Sequence, residues 1–159
     1  MTRRPPARRR LAPLLFLGIL TLTACQTNGS NRTADGGLLS ADAAPGTYWQ
    51  GDRSLAAERA YVVARSDQDW SELWARVGEA VPSSLPGDRM AVAVFLGPRD
   101  TAGYSVSIDR ARTVEGGVQV GFHERVPGPE QVVALTQTSP YAVRLLPRVE
   151  GKATFQRDR

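Results

Sequence analysis

Cys25 is the only cysteine of the chain, and it stands directly behind an apolar run that ends in Leu22, Thr23 and Ala24. A thiol is readily activated as a nucleophile, but one thiol alone closes no disulfide, so its chemistry is directed at another molecule. The other chemistry-bearing residues are sparse. His123 is the only histidine. Val118, Val120 and Phe122 alternate as the inward side of a strand, which turns His123 outward as a solvated side chain. Lys152, the only lysine, stands near the end of the sequence, and neither a Gly-x-Ser-x-Gly elbow nor a Ser-x-x-Lys pair is there to build a hydrolase. No set of Asp, Glu, His and Cys has metal-ligand spacing. Asp67 and Asp69 fit the start of a helix, and Gly116 with Gly117 fits a hairpin rather than a phosphate-binding loop. The sequence therefore predicts no enzyme, no cofactor and no bound metal.

The residues ahead of Cys25 indicate what its thiol is for. Arg3, Arg4, Arg8, Arg9 and Arg10 form a basic cluster, and Leu11 to Ala24 is apolar apart from Gly18, Thr21 and Thr23. Such a helix would rise about 21 Å, well short of the roughly 30 Å hydrocarbon core, so a secretory signal fits better than a permanent span. Leu22, Thr23, Ala24 and Cys25 resemble a lipobox, the bacterial lipoprotein pattern of Leu, two small residues and Cys. That resemblance implies a diacylglycerol on the Cys25 sulfur, cleavage before Cys25, and acylation of the new amino terminus with a chain such as palmitate. Several acyl chains, at about 0.8 kcal/mol per buried methylene, hold a protein on a membrane where one chain would be marginal. Gln26 in place of Asp favours the outer membrane, facing the periplasm, if the host is Gram-negative. The expected organisation is a signal peptide at 1–24, a lipidated flexible tether at 25–46, and one folded domain at 47–159.

The formal charge of +4 changes meaning once the signal is removed. Of twenty basic and sixteen acidic residues, five basic and no acidic ones precede Cys25, which leaves fifteen against sixteen and a net charge of −1. The basicity that would suggest nucleic acid belongs to the discarded segment, so nucleic acid is not an expected partner. With Cys25 capped by lipid, no disulfide staples the domain, and its core alone must hold it together.

Alternation and periodicity outline that core. Residues 59–65 read as a strand. Ser66 or Asp67 then caps a helix whose Trp70, Leu73, Trp74 and Val77 fall at i, i+3, i+4 and i+7, with Gly78 at the C′ position. The two tryptophans share the aliphatic face and are expected in the core, and Pro82 and Pro86 close the helical region. Residues 91–97, AVAVFLG, read as a central strand covered on both faces. Tyr104, Val106 and Ile108 alternate with Ser105 and Ser107, and the pattern slips by one near 109–111, which predicts a bulge. Gly116 and Gly117 supply a hairpin turn. The segment 141–147 sets Tyr141, Val143 and Leu145 against Ala142, Arg144 and Leu146, and KATFQ adds a short edge. The expected fold class is mainly β (α+β), an antiparallel sheet or sandwich of about six strands with one amphipathic helix packed against it.

Together these pieces resemble the PrcB C-terminal domain family. The likeness rests on the helix with Trp70 and Trp74, the apolar strand ending at Gly97, the segment GPRDTAGYSVSI, the hairpin, a Pro-bearing loop after Val126, and TSPYAVRLLP. It runs from Trp70 to Pro147. Its most telling piece is Thr101-Ala102-Gly103-Tyr104, where the family typically has Pro-Thr-Gly-Gly-Tyr. Here Asp100 replaces the Pro and Ala102 the first Gly. The family is named for an accessory subunit of a secreted protease complex, so the resemblance implies an extracytoplasmic binding or stabilising role rather than a reaction. Loops on a rigid sheet are where recognition tends to be placed. The candidate binding residues are accordingly Arg99, Thr101, Tyr104, Thr138, Ser139, Pro140 and Tyr141, on or beside the loops 97–103 and 126–140. The expected function is that of a lipid-anchored envelope protein that docks on or stabilises another envelope protein, with a protease as the partner the resemblance implies. Two alternatives stay open, a protease inhibitor that inserts a loop and a small-ligand or cell-wall-binding module with a pocket beneath the tryptophan helix.

Overall fold

Successive side chains of a strand point to opposite faces, so a strand without polar residues needs cover on both sides. The computed structural model describes residues 47–158, which lie in the larger of the two units into which the chain divides, 32–159. In chain order the elements are β1 (Tyr48–Gly51), β2 (Ala60–Ala64), α1 (Asp67–Val77), β3 (Arg89–Phe95), β4 (Ser105–Val114), β5 (Gly117–Arg125), β6 (Tyr141–Pro147) and β7 (Lys152–Arg157). One sheet has the order β1-β6-β3-β2 with every neighbouring pair antiparallel, and the other has the order β4-β5-β7. Among the described residues no helix is long and apolar enough to cross a membrane.

β3 lies inside the first sheet and sorts its side chains between two cores. Ala91, Ala93 and Phe95 join Trp70, Leu73, Trp74 and Val77 of α1. Met90, Val92 and Val94 join Val106, Ile108, Val118, Val120 and Phe122 of the second sheet. The result is three layers: helix, four-stranded sheet, three-stranded sheet. β6 follows the same rule, with Tyr141, Val143 and Leu145 toward the helix and Ala142 and Leu146 toward the second sheet. The α+β sandwich expected from alternation is the fold observed.

α1 begins and ends where its caps place it. The Ser66 hydroxyl accepts the Asp69 N–H at 3.1 Å, and the Asp69 carboxylate accepts the N–H groups of Ser66 and Arg65 at 3.1 and 3.0 Å, which closes a capping box. Gly78, at φ +86°, ends the helix in the left-handed region, where its missing Cβ removes the steric cost. Asp67 accepts the Leu85 N–H at 2.9 Å and so ties the return segment to the start of the helix.

Four features differ from the sequence reading. β1 is an additional strand, only four residues long, whose Trp49 packs between Trp70 and Trp74 at 5.7 and 5.4 Å between ring centroids. β7 pairs with β5 in parallel, so the second sheet is mixed. The segment after β6 crosses to the other sheet instead of folding back on its own, and Lys152 donates its N–H to Gly116 at 2.9 Å. The hairpin turn lies one residue earlier than expected, at Glu115 and Gly116, because Gly117 already pairs with Val114. Tyr104 stops short of β4 and is half-buried in the preceding loop. The expected bulge is present: Ile108 faces Phe122 and Arg110 faces Gly121, which leaves Asp109 as the extra residue.

Candidate docking surface

The loops 98–104 and 126–140 lie side by side, joined through their backbones. Arg99 donates its N–H to the Thr138 carbonyl at 2.7 Å and accepts the Thr138 N–H at 2.9 Å. Ala102 donates to the Ala134 carbonyl at 3.0 Å, and the Thr138 hydroxyl donates to the Thr101 carbonyl at 3.1 Å. Gly103 adopts φ +92°, and a Cβ there would stand 3.1 Å from Val133 and 3.2 Å from Pro127. Glycine at that position therefore serves both the turn and the close approach of the second loop.

The seven candidate binding residues divide between surface and support. Arg99, Thr101 and Tyr104 are half-buried and adjoin one another, with the Arg99 guanidinium 5.5 Å from the centre of the Tyr104 ring. Thr138, Ser139, Pro140 and Tyr141 are buried. Ser139 donates its backbone N–H to Asp52 at 2.8 Å and its hydroxyl to the Ala56 carbonyl at 3.2 Å. Pro140 accepts the Leu96 N–H at 2.9 Å, and Tyr141 stacks on Phe95 with its hydroxyl toward Glu79. These four hold the loop in place rather than present it.

What the loop presents is apolar. Val132 and Leu135 are 99% and 91% exposed, on a segment otherwise braced by hydrogen bonds. Beside the loop a cleft of about 650 Å³ is lined by Leu55, Ala56, Pro98, Thr136, Thr138 and Ser139, with Leu55 a further exposed apolar side chain. Exposed aliphatic groups on ordered backbone mark places where a partner can bury them. Val132 and Leu135 are absent from the candidates drawn from the sequence, although two large apolar residues in a Pro-bearing segment without strand parity are a signal of this kind.

The second feature the sequence reading missed is Glu124. It continues the inward parity of Val118, Val120 and Phe122, so a charged residue falls where the pattern calls for an apolar one. Its side chain is 4% exposed. Arg59 Nη2 donates to its two oxygens at 3.0 and 2.8 Å, while Arg99 and Arg157 approach at 3.5 and 3.6 Å. Burial by itself would raise the Glu124 pKa. The hydrogen bonds and charge of Arg59, with Arg157 and Arg99, outweigh burial and hold it below its ordinary value.

His123 faces outward on β5, opposite Ser107, in a shallow recess with Glu124, Arg157 and Asp158. Among the described residues no group of three or more His, Cys, Asp or Glu side chains could hold a metal ion. Where the sequence suggested a pocket beneath the helix, the indoles of Trp49, Trp70 and Trp74 fill the space, with centroids 5.4 to 5.7 Å apart. Trp70 and Trp74 are core, as their spacing predicts, with Trp49 packed against them.

Residues 90–144 match the family model described as PrcB C-terminal. Over these residues the chain is similar to the PrcB C-terminal family. The match is narrower than the span 70–147 read from the sequence, and it runs from β3 through most of β6. It therefore takes in both loops, the bulge, the hairpin and Glu124, while α1, β2 and β7 lie outside it. No characterised protein and no solved structure matches the chain.

Proposed function

We propose that this protein is a lipid-anchored accessory protein of the cell envelope that docks on a protease through the loops 98–104 and 126–140. The PrcB C-terminal family suggests an accessory role in a protease complex rather than a catalytic one. The observation that carries the reading is the near-complete exposure of Val132 and Leu135 on a loop fixed by the Arg99–Thr138 pairing. Burying two such side chains against a partner favours association, and a preformed loop loses little freedom on binding. Exchanging both for Ser, Val132→Ser with Leu135→Ser, leaves the folded core untouched and is expected to weaken capture of the protease at least about tenfold. Full capture by the double variant would defeat the reading.

The anchor belongs to the same proposal. Cys25 lies outside the described residues, and its assignment rests on Leu22, Thr23, Ala24 and the basic apolar segment before them. Cys25→Ser should move the protein from the detergent phase to the aqueous phase, or leave an uncleaved precursor. An unchanged partition would remove the lipid from the account.

A further inference from the structure

The surroundings of Glu124 hold more positive charge than the fold uses. Three guanidinium groups, from Arg59, Arg99 and Arg157, face one buried carboxylate. Only Arg59 is within good hydrogen-bonding distance of it. Arg99 donates Nη1 to the Pro98 carbonyl at 3.0 Å and reaches Glu124 with Nη2 only at 3.5 Å, while Arg157 stands 3.6 Å from it, so both guanidinium groups keep N–H donors for another acceptor. Arg157 is more than half exposed. The nearby Asp158 pairs with Arg110, and among the described residues Glu58 and Asp100 form no ion pair with the cluster. Two positive charges are thus left over on a rigid floor.

The position of the cluster indicates what would neutralise it. Arg99 belongs both to the cluster and to the pairing with Thr138 that fixes the exposed apolar loop. A polypeptide lying on this loop meets Arg99 at the loop's base, with Arg157 across Glu124 from it, and guanidinium groups recognise carboxylates through paired N–H donors. We infer that Arg99 and Arg157 bind a side-chain or terminal carboxylate of an acidic, partly apolar segment of the docked partner. This rests on the docking reading above and names the chemistry of its partner segment.

The inference is tested with the full chain in detergent and a fluorescein-labelled peptide of alternating Asp and Leu, its anisotropy read against a Lys and Leu counterpart. The acidic peptide is expected to bind and the basic one not. Arg99→Gln and Arg157→Gln should each weaken binding about fourfold, as loss of one charge near the ligand in a watery setting implies. Arg112→Gln, which removes an arginine outside the cluster, should leave it unchanged. Because Arg157 is largely exposed, its variant carries the test if Arg99→Gln fails to fold. Equal binding of both peptides, equal affinity in Arg157→Gln and Arg112→Gln, or displacement by inorganic phosphate as efficient as by unlabelled peptide would overturn it. Capture of the protease separates the two readings. If the cluster variants retain capture while the Val132 and Leu135 double variant loses it, the carboxylate site falls and docking stands. If all of them retain it, docking itself falls.

Discussion

Trp70 and Trp74 stand one helical turn apart in the same core, yet their indole N–H groups are treated differently. Trp70 Nε1 donates to the Ser83 carbonyl at 2.8 Å, whereas the buried Trp74 Nε1 has no partner among the described residues. Trp70→Phe and Trp74→Phe remove similar volume, but only the first strands an acceptor. Trp70→Phe is therefore expected to be the more destabilising by about 1 kcal/mol, read from urea midpoints. Equal losses would mean that the Ser83 bond contributes nothing. Burial of these rings was legible in the sequence because their spacing matched that of Leu73 and Val77. The hydrogen bond was not, since Ser83 lies in an irregular segment with no periodicity to place it. Thr138 and Ser139 show the converse limit. Their types suggested an exposed polar loop, and only tertiary packing turns them inward.

At the scale of elements, the two glycines of the β4–β5 hairpin have separate duties. Gly116 is in the left-handed region at φ +75° with open space where a Cβ would be, so Gly116→Ala should cost only about 1 kcal/mol of backbone strain. At Gly117 a Cβ would meet the Lys152 backbone, with Lys152 N at 2.7 Å and its carbonyl oxygen closer still. Gly117→Ala must push the start of β7 away and is expected to cost about 1–3 kcal/mol, with faster hydrogen exchange confined to β7. Equal exchange in the two variants would contradict this account of the glycine pair. The pair was legible as a turn, but its role in seating a parallel strand was not. The pairing of β5 with β7 joins segments distant in sequence, which no local pattern encodes. α1 was more fully legible, because its capping box, apolar face and C′ glycine are all local. The bulge could be read because it interrupts an alternation otherwise kept by Val106, Ile108 and Ala111.

For the molecule as a whole, the core is apolar on both sides of the first sheet, and Glu124 is the buried charge set into the second. Its depressed pKa links folding to acid. Folding stability from this group is fully present above its ordinary value of 4.5 and is lost as pH falls through the lower folded-state value. Asp69, lowered by the N–H of Arg65 and the cap at Ser66, acts in the same direction. Glu124→Gln should cost about 1–3 kcal/mol at neutral pH, at the lower end for a buried pair because its arginines are partly solvated. The difference between wild type and variant should shrink below about pH 4.5. A difference independent of pH would show that the variant acts through packing instead of charge. Both loops cross between the two sheets, and the proposal that a protease docks there is the centre of the account. Its most direct test is a photocrosslinking side chain placed at position 132 in intact cells, beside the same probe at Arg112. The account predicts one recurring adduct from position 132, absent from position 112, that degrades casein when isolated. The same set of adducts from both positions, or a position-132 adduct without proteolytic activity, would contradict it.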